Sequence, residues 1–152
     1  MSKIYPLTLF YDATCPVCAL EMDHLRARNH AAKLVFVDIS APGFDAVPDG
    51  VTLVQMDAEI HALCADGSLL RGVEVLRLAY AAVGLGWVLG PTGWAPLRPL
   101  FDRGYRLFAR HRRRISGAAA PLIDAIRAAR ARRVAERMRE CAGGECVSRR
   151  PL

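Results

Sequence analysis

The sequence predicts an α/β fold with the element order β-α-β-loop-β-β-α, followed by further helices. Three observations carry this. An apolar run of strand character ends at Cys15-Pro16-Val17-Cys18, and that pair opens a helix. A second short apolar run lies at residues 34–39, and Asp66-Gly67 forms a strong hairpin turn between two short segments of strand character. With 152 residues, 53% of them hydrophobic, the chain can bury one sizeable core but is short for two ordinary domains.

Residues 8–12 hold Leu9, Phe10 and Tyr11 and read as the first strand, with residues 3–7 leading into it. Thr14 or Cys15 can cap the helix that follows, and Pro16 suits its first turn. Val17, Leu20 and Leu25 then recur on one face until residue 29 or 30. Residues 34–39 suit a central parallel strand with Asp38 near its C-terminal end. Residues 41–50 hold Pro42, Gly43, Pro48 and Gly50 and are expected to loop, with a short helical turn at 44–47. In residues 59–64, Ile60, Ala62 and Cys64 share one face, and residues 68–71 supply the returning strand. Residues 73–83 are helical by the spacing of Val73, Leu76, Ala79, Tyr80 and Val83. This is the order of a thioredoxin-like fold.

Beyond a Gly/Pro-rich stretch, residues 97–113 read as a helix with Leu100, Phe101, Tyr105 and Phe108 inward. Residues 121–141 read as another, amphipathic through Leu122, Ile123, Ile126, Val134 and Met138. The core elements are complete before Gly117. The expected organisation is therefore a thioredoxin-like domain at 5–117 and a basic helical extension at 118–152 that the domain folds without.

The formal charge of +6 comes mostly from arginines in the C-terminal third. That region has few aromatics and no nucleic-acid motif, so no nucleic-acid partner is expected. A solvated or internally paired basic face is the simpler reading, with peripheral contact to an anionic membrane as the alternative. Residues 78–97 hold no charged side chain and approach the length of a membrane span, but Gly84, Gly86, Gly90, Pro91, Gly93 and Pro96 interrupt them. No transmembrane span is expected. Five cysteines are an odd number, and the first residues do not resemble a secretion signal. A reducing, cytoplasmic setting is the expectation.

The Cys-x-x-Cys pair carries the chemistry. A thiolate is the reactive form of cysteine, and a helix N-terminus stabilises one through its free N–H groups and dipole. Cys15 is thus the expected attacking sulfur, more exposed and more acidic than Cys18. Cys18 lies one turn further on and can resolve a mixed disulfide. Such a pair could also be half a zinc site, with Cys141, Cys146 and His111 as the remaining candidate ligands, but a preceding strand and following helix favour redox use. Asp12 either accepts the proton of Cys18 or caps the turn at Thr14 and Cys15. His61, away from the Ile60 face, can point toward the active-site side, although an isolated strand histidine is usually structural. Cys64 reads as a small buried hydrophobe. Cys141 and Cys146 flank Gly143-Gly144 and are either solvent-exposed cysteines without a partner or a second exchangeable thiol pair.

The segment Phe10-Tyr11-Asp12-Ala13-Thr14-Cys15-Pro16-Val17-Cys18, with Glu21 and Leu25, resembles the Asp-x-x-Cys-x-x-Cys signature of the DCC family of predicted thiol-disulfide oxidoreductases, also catalogued as a domain of unknown function. Asp66-Gly67 with Gly72 resembles that family's hairpin and helix start. Tyr105 to Arg112 resembles its tyrosine-to-arginine helix, where Arg110 and Arg112 either bind an acidic substrate or pair with carboxylates. The resemblance implies a thioredoxin-like domain with Cys15 and Cys18 as its redox pair. Residues 55–61 contain no proline, so a trans bond is expected where thioredoxins place a cis-proline, and with it a differently shaped groove. The expected activity is thiol–disulfide exchange of the protein-disulfide reductase type on a disulfide or thiol substrate. Glutathione or a thioredoxin-type donor would supply electrons without a bound cofactor. The competing class is a non-catalytic binding module with a basic partner- or membrane-facing surface.

Overall fold

The computed structural model describes residues 3–142. Strand β1 (Leu7–Tyr11) is followed by α1 (Pro16–Arg26), β2 (Leu34–Asp38), α2 (Leu53–Ala58), β3 (His61–Leu63), β4 (Leu69–Arg71) and α3 (Val73–Ala82). A short α4 (Gly86–Leu89) and a 3-10 turn (Gly90–Gly93) then lead to α5 (Arg98–Ala142). The sheet order is β2-β1-β3-β4, with β1 parallel to β2 and antiparallel to β3, and β3 antiparallel to β4. This is the mixed α/β arrangement of a thioredoxin-like fold. The strand expected at the centre of the sheet, β2, is an edge strand with Val35 half-exposed, and the central pair β1–β3 is antiparallel.

The period of two in β1 divides its side chains between two cores. Leu7 and Leu9 join Met22 and Leu25 of α1, Ala62 and Cys64 beside the hairpin, and Val75 and Ala79 of α3. Phe10 faces the other way, onto Ile39 and Met56. On α1 the buried residues are Ala19, Met22 and Leu25. The expected stripe of Val17, Leu20 and Leu25 is therefore rotated, because Val17 is drawn to the wall of a cavity beside the cysteines.

The helical turn expected at 44–47 is not helical. Phe44 and Val47 are loop residues packed on the second core, and the helix begins at Leu53 instead. Thr52 starts it by accepting the Gln55 N–H while the Gln55 side chain accepts the Thr52 N–H, a reciprocal capping box. At the hairpin, Asp66 accepts hydrogen bonds from the N–H and hydroxyl of Ser68. Gly72 then starts α3 at φ 71°, where a Cβ would also meet Glu59 Oε2 at 3.3 Å.

The two expected C-terminal helices are one. Helix α5 runs 45 residues straight through Pro121. A proline inside a helix forfeits the hydrogen bond to the carbonyl four residues earlier, but Ala118, Ala119 and Ala120 are strong helix formers, and Ser116 and Ile123 are buried on either side. Packing on α1 therefore holds the helix together. Small residues at Ala109 and Ser116 permit that close approach. The resulting phase turns Tyr105 and Phe108 inward but leaves Leu100, Phe101, Leu122, Val134 and Met138 exposed, against expectation. Among the described residues no helix is long and apolar enough to cross a membrane.

Candidate active site

Cys15 and Cys18 are joined as a disulfide, with their Cα atoms 5.2 Å apart. Cys15 is the N-cap of α1, and its sulfur accepts the Cys18 N–H at 3.4 Å. The helix end thus directs its first free donor at this sulfur. Two carboxylates at strand ends hold the preceding loop. Asp12 Oδ1, after β1, accepts the Thr14 N–H at 2.8 Å and the Thr14 hydroxyl. Asp38 Oδ1, closing β2, accepts the Ala13 N–H at 3.1 Å and the Ser40 N–H at 2.9 Å. Burial alone would raise the Asp38 pKa; the hydrogen bonds from Ser40 and Ala13, with the nearby Arg26 charge, instead hold it below the ordinary carboxylate range.

Helix α5 closes the site from above. Ser116 Oγ lies 3.4 Å from Cys15 Sγ, and Ser116 is 1% exposed. One turn earlier, Arg112 Nη2 reaches Asp12 Oδ2 at 3.5 Å and Asp57 Oδ1 at 2.7 Å. Arg113 adds contacts to both Asp57 oxygens at 2.9 and 3.0 Å. The guanidinium of Arg112, 7% exposed, therefore ties the loop after β1, helix α2 and helix α5 together.

This cover reverses one expectation. Cys15 is 3% exposed and Cys18 is the more accessible sulfur. Helix α5 lies over the N-terminus of α1 and seals Cys15 beneath Ser116. Cys18 instead lines a cavity of about 220 Å³, together with Asp12, Glu21, Tyr105 and Arg112. Its remaining walls are apolar, from Phe10, Met22, Met56 and Leu76 among others. The Tyr105 hydroxyl accepts the Ile60 N–H at 3.0 Å, and burial raises its pKa above that of a free phenol.

Of the candidates named from sequence, Cys15, Cys18 and Asp12 come together. Asp12 makes the capping bonds while lining the same cavity as Cys18. His61 does not join them: it is buried, pairs through Nδ1 with the Glu59 carbonyl at 2.9 Å, and lines a separate hollow with Gln55 and Arg71. Cys64 is a free, buried thiol in the main core. The peptide bonds of residues 55–61 are trans, and the cis bond of the described residues is Tyr5–Pro6. Arg112 pairs with carboxylates, whereas Arg110 is exposed. Cys146 lies outside the described residues, and with it any pairing of Cys141 with Cys146. Among the described residues no three metal-binding side chains cluster around one point. Ser116 and Asp57 carried no signal in the sequence, being an ordinary serine and aspartate distant along the chain.

The model of a family described as DCC1-like thiol-disulfide oxidoreductase matches residues 9–118. That span contains the whole site and reaches just past Ser116. An uncharacterized chloroplastic protein of Arabidopsis thaliana is 35% identical over 128 residues, which are 83% of this chain. The aligned part covers 59% of that relative's own length. No solved structure matches the chain.

Proposed function

The chain belongs to the DCC1-like thiol-disulfide oxidoreductase family, and from that premise we propose that Cys15 and Cys18 are its catalytic redox pair, with Cys15 attacking and Cys18 resolving. The observation that carries the proposal is the bonded pair at the N-terminus of α1 with a cavity against it. In the reducing direction, the Cys15 thiolate attacks one sulfur of a substrate disulfide. The substrate S–S bond breaks, and the departing sulfur leaves as a thiolate that takes up a proton. Cys18 gives its proton to Asp12 and attacks Cys15 Sγ, expelling the second substrate sulfur and closing the Cys15–Cys18 disulfide. Two electrons have then passed to the substrate, and either two glutathione molecules, which leave as their disulfide, or one thioredoxin-type dithiol restores the pair. The scheme uses no cofactor.

For Cys15 to attack, the α5 turn carrying Ser116 has to withdraw. The exposures favour a second assignment, in which a partner sulfur meets Cys18 first from the cavity. Cys15 is then the leaving and returning thiolate, stabilised by the Cys18 N–H and the Ser116 hydroxyl. Limiting iodoacetamide on the reduced protein near neutral pH separates the two: first labelling at Cys15 supports the first assignment, and first labelling at Cys18 exchanges the roles. The reaction class is tested by Cys18→Ser and Cys15→Ser, one of which should accumulate mixed disulfides with its substrates. Unreactive thiols with stoichiometric zinc would instead support a binding module. A reducing, cytoplasmic setting belongs to the same proposal, since the unpaired Cys64 suits it.

A further inference from the structure

Among the described residues, the face of α5 turned away from the dithiol has no partner. Leu100, Leu107 and Leu122 are each at least 60% exposed on it, with Ile115 at the edge. Residues 100, 107, 111, 114, 118 and 122 follow the helical repeat and fall within one sector, flanked by 103 and 110. Immediately before α5, Trp87 is 76% and Trp94 65% exposed, and Val88 lies beside Trp87. These are the only two tryptophans of the chain. A helix face with exposed leucines, preceded along the chain by two water-facing tryptophans, needs an explanation.

The charge around the stripe has one sign. Residues 103–123 hold Arg103, Arg106, Arg110, Arg112, Arg113 and Arg114 and no carboxylate. Arg112 and Arg113 are committed to Asp57. Arg103, Arg110 and Arg114 are exposed beside the leucines. The preceding acid, Asp102, is occupied by Arg77 at 3.6 Å and Arg98 at 3.9 Å.

We propose that the outer face of α5, with the Trp87–Trp94 turn, is a surface for anionic lipid on which the protein lies with α5 parallel to the bilayer. Leucines and tryptophans enter the boundary between headgroups and acyl chains, and the arginines reach the lipid phosphates. A second copy of this chain fits less well. Two-fold pairing along this face brings the Arg103, Arg110 and Arg114 side chains of the two copies together with no acid between them. On the lipid surface the opposite face of the helix, carrying Arg112 and Ser116, holds the dithiol about 10 Å from the membrane, one helix diameter.

The test is vesicle co-sedimentation of the full chain with phosphatidylcholine alone and with phosphatidylcholine containing phosphatidylglycerol, read together with tryptophan emission. Binding to the anionic vesicles only, with emission moving to shorter wavelength, is expected, because both reporters sit in the proposed surface. Arg103→Gln with Arg110→Gln and Arg114→Gln should weaken binding on the order of a hundredfold. Arg130→Gln with Arg133→Gln and Arg137→Gln removes the same charge from another part of α5 and should weaken it much less. Leu100→Ser with Leu107→Ser leaves the charge intact and should cost about tenfold or more. Since these residues are exposed, the variants should melt as the parent does. Equal loss in both arginine sets, unchanged emission, or binding to neutral vesicles alone overturns the proposal. A dimer in light scattering that dissociates with the leucine changes overturns it in favour of self-association.

Discussion

Arg112 carries more of this site than its position in an arginine-rich segment suggests. Its guanidinium compensates Asp12, which is buried beside the cysteines, and binds Asp57 from a second element. Removing one partner of a buried pair leaves the other charge uncompensated, so Arg112→Met is expected to lose about 3 kcal/mol in denaturant unfolding. Adding Asp12→Asn should recover part of that loss, a non-additivity that a double-mutant cycle reads directly. Asp38 acts on the same loop from the other side. Its pKa is depressed in the folded protein, so its contribution to stability is fully present above the unfolded carboxylate pKa and is lost as pH falls through the folded value. Asp38→Ala should therefore melt lower than the parent at neutral pH. That difference should shrink below the ordinary carboxylate range. A gap independent of pH would mean that the Asp38 charge plays no part in holding the turn.

Helix α5 is where elements and site meet. Upstream of Gly117 it supplies Tyr105, Arg112 and Ser116; downstream it buries Ile123, and Arg127 pairs with Asp23 of α1 at 3.1 Å. The two halves are thus one lever resting on α1. The sheet and both cores are complete without residues 118–152, so truncation after Gly117 is expected to leave a cooperative thermal transition. Loss of the Ile123 contact should lower its midpoint, since deleting a large buried aliphatic side chain costs about 2–5 kcal/mol. Circular dichroism melts of the two lengths check both statements. An unchanged midpoint would make the extension a passenger, and a lost transition would make it part of the folding unit.

At the scale of the molecule, the sheet and α1 present the disulfide while α5 covers it. Any substrate sulfur bonded to Cys15 must occupy space that Ser116 now fills at 3.4 Å. A mixed disulfide trapped on Cys15 in a Cys18→Ser protein should therefore show faster amide hydrogen exchange across residues 112–120, with β1 and β3 still protected. Protection of that segment equal to the free protein would mean that the substrate enters through the Cys18 cavity without moving the helix.

Short-range physics was written plainly in the amino-acid sequence. The period of two in β1, the proline after an N-capping Cys15, the Asp66-Gly67 turn and the alternation of Ile60, Ala62 and Cys64 each depend on neighbours within a few residues. From these the fold class and the placement of the Cys15–Cys18 pair at a helix start were legible. The Thr52-x-x-Gln55 capping box was equally local, and it marked α2 where a turn at 44–47 was expected instead. What only the tertiary structure decided depends on partners about fifty to a hundred residues away. Ser116 lies 101 positions from the sulfur it covers, and Arg112 lies 100 positions from Asp12 and 55 from Asp57. No periodicity encodes such meetings, because they follow from the angle at which one helix lies on another. That angle set which face of α5 went inward, buried Cys15 in place of Cys18, and carried the helix through Pro121. A proline that would stop an isolated helix is tolerated when the residues on either side are already held by packing.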